Sequence, residues 1–151
     1  MHQLLSKDSE VMLNLELSGG IEKAWQLISE PFHMIKWMGS QYLCLEVELK
    51  AGGKIVFAGA EGNENLKRFG TVVDCFPPYK LAYQYNQEIA PFHQRQNLVL
   101  ISLMVLPLNQ CMLNVHVTGF ATDAEFEAAS AYWRNALHNL QKLMPVSGIN
   151  V

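Results

Sequence analysis

The sequence predicts an α+β fold in which a seven-stranded antiparallel sheet is covered by two short helices and a long C-terminal helix. Three observations predict it. Residues 10–17 alternate apolar and polar side chains, with Val11, Leu13, Leu15 and Leu17 on one face. Six further strand-length runs, bounded by turn residues, follow between Leu43 and Phe120. The last long segment carries Phe126, Ala129, Trp133, Ala136, Leu137, Leu140 and Met144 as one stripe at helical spacing. Consecutive strands joined by short turns pair as an antiparallel meander, and a helix with one apolar face has to bury that face against the sheet.

Each element has its own local reason. The alternation of Glu10–Leu17 is that of a strand with one buried side, and Ser18-Gly19-Gly20 breaks it, with Ser18 the expected helix cap. Ile21, Ala24, Trp25 and Ile28 then recur at helical spacing, so a short helix is expected to bury Trp25. Pro31 suits the first turn of a second helix, where its missing N–H would have no partner anyway, and that helix is expected to end near Gly39. Strands are expected over Leu43–Lys50 and Lys54–Ala58, joined by Ala51-Gly52-Gly53, with a polar turn at 61–65 after them. Phe69–Phe76 ends at Pro77-Pro78, and Lys80–Tyr85 is expected to give way to a polar loop reaching Pro91. Asn97–Leu106 and Cys111–Phe120 flank a hairpin at Pro107-Leu108-Asn109-Gln110. Thr122 or Asp123 caps the long helix, and Pro145 stops it.

Length and composition narrow the function. A chain of 151 residues is expected to form one domain over 1–151, with its core in about 11–144. Half of the residues are hydrophobic, 17% are charged and the net charge is −3, so no electrostatic case exists for nucleic acid or for an anionic membrane. The N-terminal MHQLLSKDSE has no long apolar core and no window reaches 18 apolar residues, so secretion and membrane spanning are not expected. Cys44, Cys75 and Cys111 lie about thirty residues apart, each in a strand-like run, and form no CxxC. They read as buried free thiols of a reducing compartment, and the expected location is the cytoplasm.

In order along the chain, "AWQLISEPFHMIKWMG", "LKAGGKIVF", "GTVVDCFPPYKLAYQY" and "HVTGF" followed by "YWRNALHNLQKL" resemble the activator of heat-shock protein 90 ATPase homolog family. The likeness runs from Val11 to Met144. That family belongs to the SRPBCC superfamily, whose helix-grip fold is shared with START domains and the birch-pollen allergen. The resemblance implies a curved sheet around the C-terminal helix with a hydrophobic cavity between them. It also implies that Val115 and Val117 of the last strand point inward. Many relatives place His before the small-Gly-Phe ending of that strand, where this chain has Val117; His116, one position earlier, belongs to the other face. The co-chaperones that name the family carry a separate N-terminal domain for which this chain has no room, so direct chaperone activation is not the expectation.

The candidate ligand-binding residues implied by the cavity are Trp37, Phe57, Tyr83, Tyr85, Val115, Val117, Phe126, Trp133 and Leu137. Trp37 falls where the family has an aromatic near the mouth of the cavity; as a residue of an apolar helix it reads equally as packed core. Phe126 and Trp133 carry the same two readings, because aromatics at helical spacing are more often core than ligand platform. Leu81, Tyr83 and Tyr85 share one strand face. If that face is inward, two phenol hydroxyls enter an apolar space, where they bond each other, backbone or water, or else orient a ligand.

No catalytic constellation accompanies these residues. The five histidines never stand at i, i+4 with another ligand, there is no HExxH, only three aspartates occur, and no GxSxG turn appears. Gly52-Gly53 reads as a turn and not as a phosphate cradle. The expected function is therefore a non-catalytic module that holds an apolar or amphipathic small molecule, without metal or cofactor. Two alternatives stand beside it. One is a cyclase- or aromatase-like enzyme, which would need Glu46, Glu48 or His33 turned into a deep pocket. The other is a chaperone-associated interaction domain. Finally, "NLVLISLMVLPL" at 97–108 is apolar on both strand faces. Whichever set faces outward, Val99-Ile101-Leu103-Val105 or Leu98-Leu100-Met104, would be covered by a second copy in a homodimer formed through strand 97–106.

Overall fold

A computed structural model describes residues 9–38, 43–58, 68–90, 93–120 and 122–144; the side chains at 43–45, 58, 68, 85–90 and 93–96 lie outside that description, as does the expected turn at 61–65. The alternation of the first segment becomes β1 (Val11–Leu17), with Val11 and Leu17 buried and Met12, Asn14 and Glu16 exposed. Helices α1 (Ile21–Ser29) and α2 (Pro31–Met38) follow. Then come β2 (Leu43–Val47), β3 (Lys54–Ala58), β4 (Arg68–Phe76), β5 (Lys80–Ala90), β6 (His93–Leu106), β7 (Gln110–Thr118) and α3 (Asp123–Leu143). The seven strands form one antiparallel sheet in the order β1-β7-β6-β5-β4-β3-β2. The six-strand meander thus has β1 returned to its last edge, and α3 follows the strand beside β1.

Four expectations are corrected. Ser18 does not cap α1: Gly20 holds that position, and no side-chain cap bond is made there. Trp25 is only partly buried, and α1 instead buries Ala24, Leu27, Ile28 and Ser29. The inward arc of this nine-residue helix is centred between Ala24 and Ile28, which leaves the large indole at its margin. The segment after Tyr85 is not a loop, since β5 runs on to Ala90 and pairs with β6 from His93. Its polar residues pair through backbone, which needs no apolar alternation. The first hairpin strand ends earlier than expected, at Val47.

Local chemistry accounts for the other boundaries. Gly52 takes φ +84 in the β2–β3 hairpin, in the left-handed region that glycine enters without steric penalty. Leu108 and Asn109 both take positive φ in the β6–β7 turn. Asparagine tolerates that conformation, whereas Leu108 carries strain there on a side chain that is 89% exposed. Thr122 caps α3, its hydroxyl accepting from the Glu125 N–H at 3.2 Å. Asp123 and Glu125 place negative charge in the first turn, where the helix dipole favours it. Bulges between Cys44 and Glu46, Val72 and Asp74, and Glu88 and Ala90 add local bend and twist to the sheet. Between β4 and β5, Lys80 lies 2.7 Å from Asp74 and, by that hydrogen bond, holds the carboxyl below its ordinary range.

Gly70 shows how closely β4 and β5 approach. A methyl group on it would collide with the carbonyl oxygen of Gln84, and it would also press on the Ile55 side chain. Strand backbone on one side and a fully buried side chain on the other leave it nowhere to go. Gly70→Ala is therefore expected to cost about 1–3 kcal/mol of stability, measured by urea unfolding. An unchanged midpoint would show that the strands separate more freely than this register allows.

Candidate functional site

The inward face is set by strand alternation. On β7, Cys111, Leu113, Val115 and Val117 are buried while the residues between them are partly exposed. The register places these opposite Val105, Leu103, Ile101 and Val99 of β6, and Tyr83 of β5 stands opposite Val99. Leu81 and Tyr83 are almost wholly excluded from solvent, as are Ile55, Phe57 and Val72. Trp37, Trp133, Leu137 and Leu140 belong to the same buried cluster from the helical side.

Two aromatic pairs anchor it. The rings of Trp37 and Trp133 lie 6.1 Å apart at 43°, and those of Phe57 and Tyr83 lie 5.8 Å apart at 42°. The Trp37 indole N–H donates to the Leu27 carbonyl at 2.6 Å, which ties α2 to α1. The Asn139 side chain donates to the Trp37 carbonyl at 3.4 Å, which ties α2 to α3. Trp37 thus has a defined structural role: its polar edge is used inside the protein, and only its ring face is left for contact. Near the start of α3, Phe126 packs edge-on against Phe120 at 5.7 Å, both partly buried. Eight of the nine candidate residues are thereby placed in or against one core. Tyr85 pairs through backbone with Gly70 and Asn97, and its ring lies outside the described residues.

One polar residue of this face carried no signal in the sequence analysis. Asn97 is 0% exposed and sits two positions before Val99, on the inward side of β6. Its Nδ2 donates to the Thr118 carbonyl at 3.2 Å. Among the described residues the only other buried side chain of polar type is Ser29, whose hydroxyl donates to the Trp25 carbonyl at 2.6 Å. The alternation Asn97, Val99, Ile101, Leu103 could have located Asn97, had strand phase been extended to the first residue of the run.

Ionisable groups lie elsewhere. Glu46 and Glu48 are exposed, and His33 is partly buried, 3.5 Å from Glu30 on the same helix. His116 faces outward on β7 and bonds Glu10. Burial raises the Cys111 thiol above its ordinary pKa; burial and then the Asp74 charge raise Cys75. Both are free thiols, and Cys75 is only partly buried, while the Cys44 side chain lies outside the described residues. Among the described residues no helix is long and apolar enough to cross a membrane. An interior of this composition can enclose apolar surface and offer an amide and a phenol, but its described side chains include no acid or base placed for proton transfer.

Several solved structures share this fold. A Mesorhizobium loti protein aligns with a TM-score of 0.75 at 17% identity, over 93% of this chain and 99% of its own. A protein described as an HSP90 activator from Plasmodium falciparum aligns with a TM-score of 0.67 at 17% identity, covering 89% of this chain and 94% of that one. The Aha1 dimer from Colwellia psychrerythraea gives 0.68 at 13% identity, over 92% and 98%. At these identities the likeness establishes the helix-grip fold alone. No curated protein matches the chain. The family model described as Activator of Hsp90 ATPase homolog 1-like protein matches residues 20–145, from the start of α1 to the end of α3, and the chain belongs to that family.

Proposed function

We propose that this protein is a non-catalytic binding module that holds an apolar or amphipathic small molecule between the inward face of the sheet and α3. The observation that supports this is the composition of that face: aliphatic and aromatic throughout its described residues, with Asn97 as its buried amide. Enclosing about 300 Å² of apolar ligand surface would gain roughly 7 kcal/mol at ~25 cal/mol per Å². Lost freedom on association opposes this by about 4–15 kcal/mol. Apolar contact alone therefore gives weak binding, and tight binding needs a polar handle or a larger ligand. The free thiols fit a reducing compartment, and we place the module in the cytoplasm. A native mass spectrum of protein purified from its own host should show a retained small molecule. Protein that carries none, and takes up none from a host lipid and metabolite extract, would remove this reading.

A second reading, a chaperone-associated interaction domain, is supported by the family description and by the neighbour described as an HSP90 activator. It would be favoured by capture of an Hsp90-type ATPase and a rise in that enzyme's turnover. The cyclase-like alternative gains no support from Glu46, Glu48 or His33, none of which is buried.

We also propose that the protein self-associates through β6, for which a structural neighbour described as a dimer supplies a precedent. The phase of β6 leaves Leu98, Leu100 and Met104 as the outward set, since Val99, Ile101 and Leu103 are buried. The register aligns Met12, His116 and Leu100 in one outward row, and Glu16, Met112 and Met104 in another. Between them runs a polar row of Asn14, Asn114 and Ser102. Met12 is 70% exposed and Met104 53%. Sedimentation is expected to show a dimer at micromolar concentration that Leu100→Glu converts to monomer. A monomeric wild-type protein at that concentration would rule the interface out.

A further inference from the structure

We infer that Asn97 is the residue that recognises the ligand's polar group, through its Oδ1, and that the ligand therefore carries a neutral hydrogen-bond donor, a hydroxyl or amide N–H, on an apolar skeleton. This rests on the binding reading above and goes further, because it assigns the recognition atom and the chemistry it selects.

The orientation of the amide is fixed by its surroundings. Nδ2 donates to the carbonyl of Thr118, the last residue of β7. Exchanging oxygen and nitrogen would set two carbonyl oxygens against each other, so Oδ1 is the atom on the other side. Oδ1 is buried and accepts no hydrogen bond from any described residue. Buried polar atoms are nearly always satisfied, and an amide oxygen with two lone pairs on an apolar face is a group for which a partner is expected. Ser29, the other buried polar residue among those described, shows the ordinary outcome, since its hydroxyl is bonded within its own helix.

Position points the same way. Leu98 pairs with Thr118, so Asn97 stands where β7 has ended and the chain turns through Gly119, at φ +94, toward α3. Phe120 follows at once and meets Phe126 edge-on, both partly exposed, so the amide lies at the aromatic end of the inward face. Val99 and Tyr83 continue that face inward. Asn97, Val99 and Tyr83 are closed to water in this structure, so a molecule that sets its donor on Asn97 and its apolar body along the strands has to displace packed side chains on entry. Oδ1 can only accept, so a carboxylate or an ether gains nothing from it. A charged ammonium would lose its hydration without meeting a carboxylate among the described residues. A neutral alcohol, phenol or amide fits.

The test uses a matched pair of probes, 2-naphthol and 2-methoxynaphthalene, in equilibrium dialysis against the full chain. The ether is the more apolar, so hydrophobic transfer alone favours it. Wild-type protein is expected to bind 2-naphthol about five- to tenfold more tightly than the ether, the range set by one net hydrogen bond. Asn97→Leu, of similar size without the acceptor, is expected to lose the preference for 2-naphthol, binding the ether at least as tightly and with affinity retained. A purely structural role for Asn97 would lower stability without moving that ratio. If the variant does not fold, the wild-type side-chain amide resonances of Asn97 supply the answer: they should shift with 2-naphthol and much less with the ether. A wild-type protein that binds both probes without preference, or a preference that survives in Asn97→Leu, would overturn the assignment and leave the binding reading intact. Failure of wild-type protein to bind either probe would overturn both.

Discussion

Trp37→Ala is expected to lower the unfolding free energy by about 3–5 kcal/mol, the usual cost of emptying a fully buried tryptophan site. Three local facts put it in that range. The side chain is 1% exposed, its ring is packed on Trp133, and its N–H holds the Leu27 carbonyl. For a domain of this size each kcal/mol moves the melting temperature by about 2–4 °C, so a fall of roughly 6–20 °C should be seen by calorimetry. Trp37→Phe separates the two contributions. Phenylalanine keeps much of the apolar volume but leaves the Leu27 carbonyl without its donor, at a cost of about 1–3 kcal/mol. If the phenylalanine variant were as stable as wild type, the indole N–H would not be tying α1 to α2.

Trp133→Ala is expected to be comparably severe, about 3–5 kcal/mol, because the residue is buried on α3 between Trp37 and the ring of Tyr132, which meets it edge-on at 5.5 Å. The two tryptophans should also be coupled. In a double-mutant cycle the combined Trp37→Ala and Trp133→Ala loss should fall short of the sum of the single losses by about 0.5–1.5 kcal/mol. Met104→Ala on the outer face serves as the control and should stay within about 0.5 kcal/mol of wild type under conditions where the protein is monomeric. Strict additivity of the tryptophan losses would mean that α2 and α3 meet the sheet independently of each other.

Much of this architecture was legible because the signals involved are periodic. The two-residue period of β1 and of β7, and the stripe from Phe126 to Met144, each require a buried side; β7 and the stripe from Trp133 onward obtained it in full, while Leu13, Leu15, Phe126 and Ala129 are partly buried. Where the pattern lapses, the reading stopped short. Residues 86–90 carry no apolar alternation, yet β5 continues through them because β6 supplies backbone partners. The placement of β1 beside β7 is equally silent in local sequence, since either edge strand of the meander could have accepted it. Trp25 shows the limit of helical spacing in a nine-residue helix, where small differences of phase decide whether an indole is enclosed. The candidate site divides along the same line. Trp37, Tyr83 and Trp133 were picked out as residues of the buried face because large aromatics on apolar runs are conspicuous. Asn97 was not, because an asparagine at the head of an apolar run looks like a strand boundary until its solvent exposure is known.

If a small molecule sits on the inward face of the sheet beneath α3, as we propose, methyl and indole resonances of the full chain should report it while 2-naphthol is added. The methyls of Val115, Val117 and Leu137 and the indole N–H groups of Trp37 and Trp133 should shift together and saturate, while the methyls of Met12 and Met104 stay in place. Shifts confined to the outer face, or none up to the solubility of the probe, would contradict it.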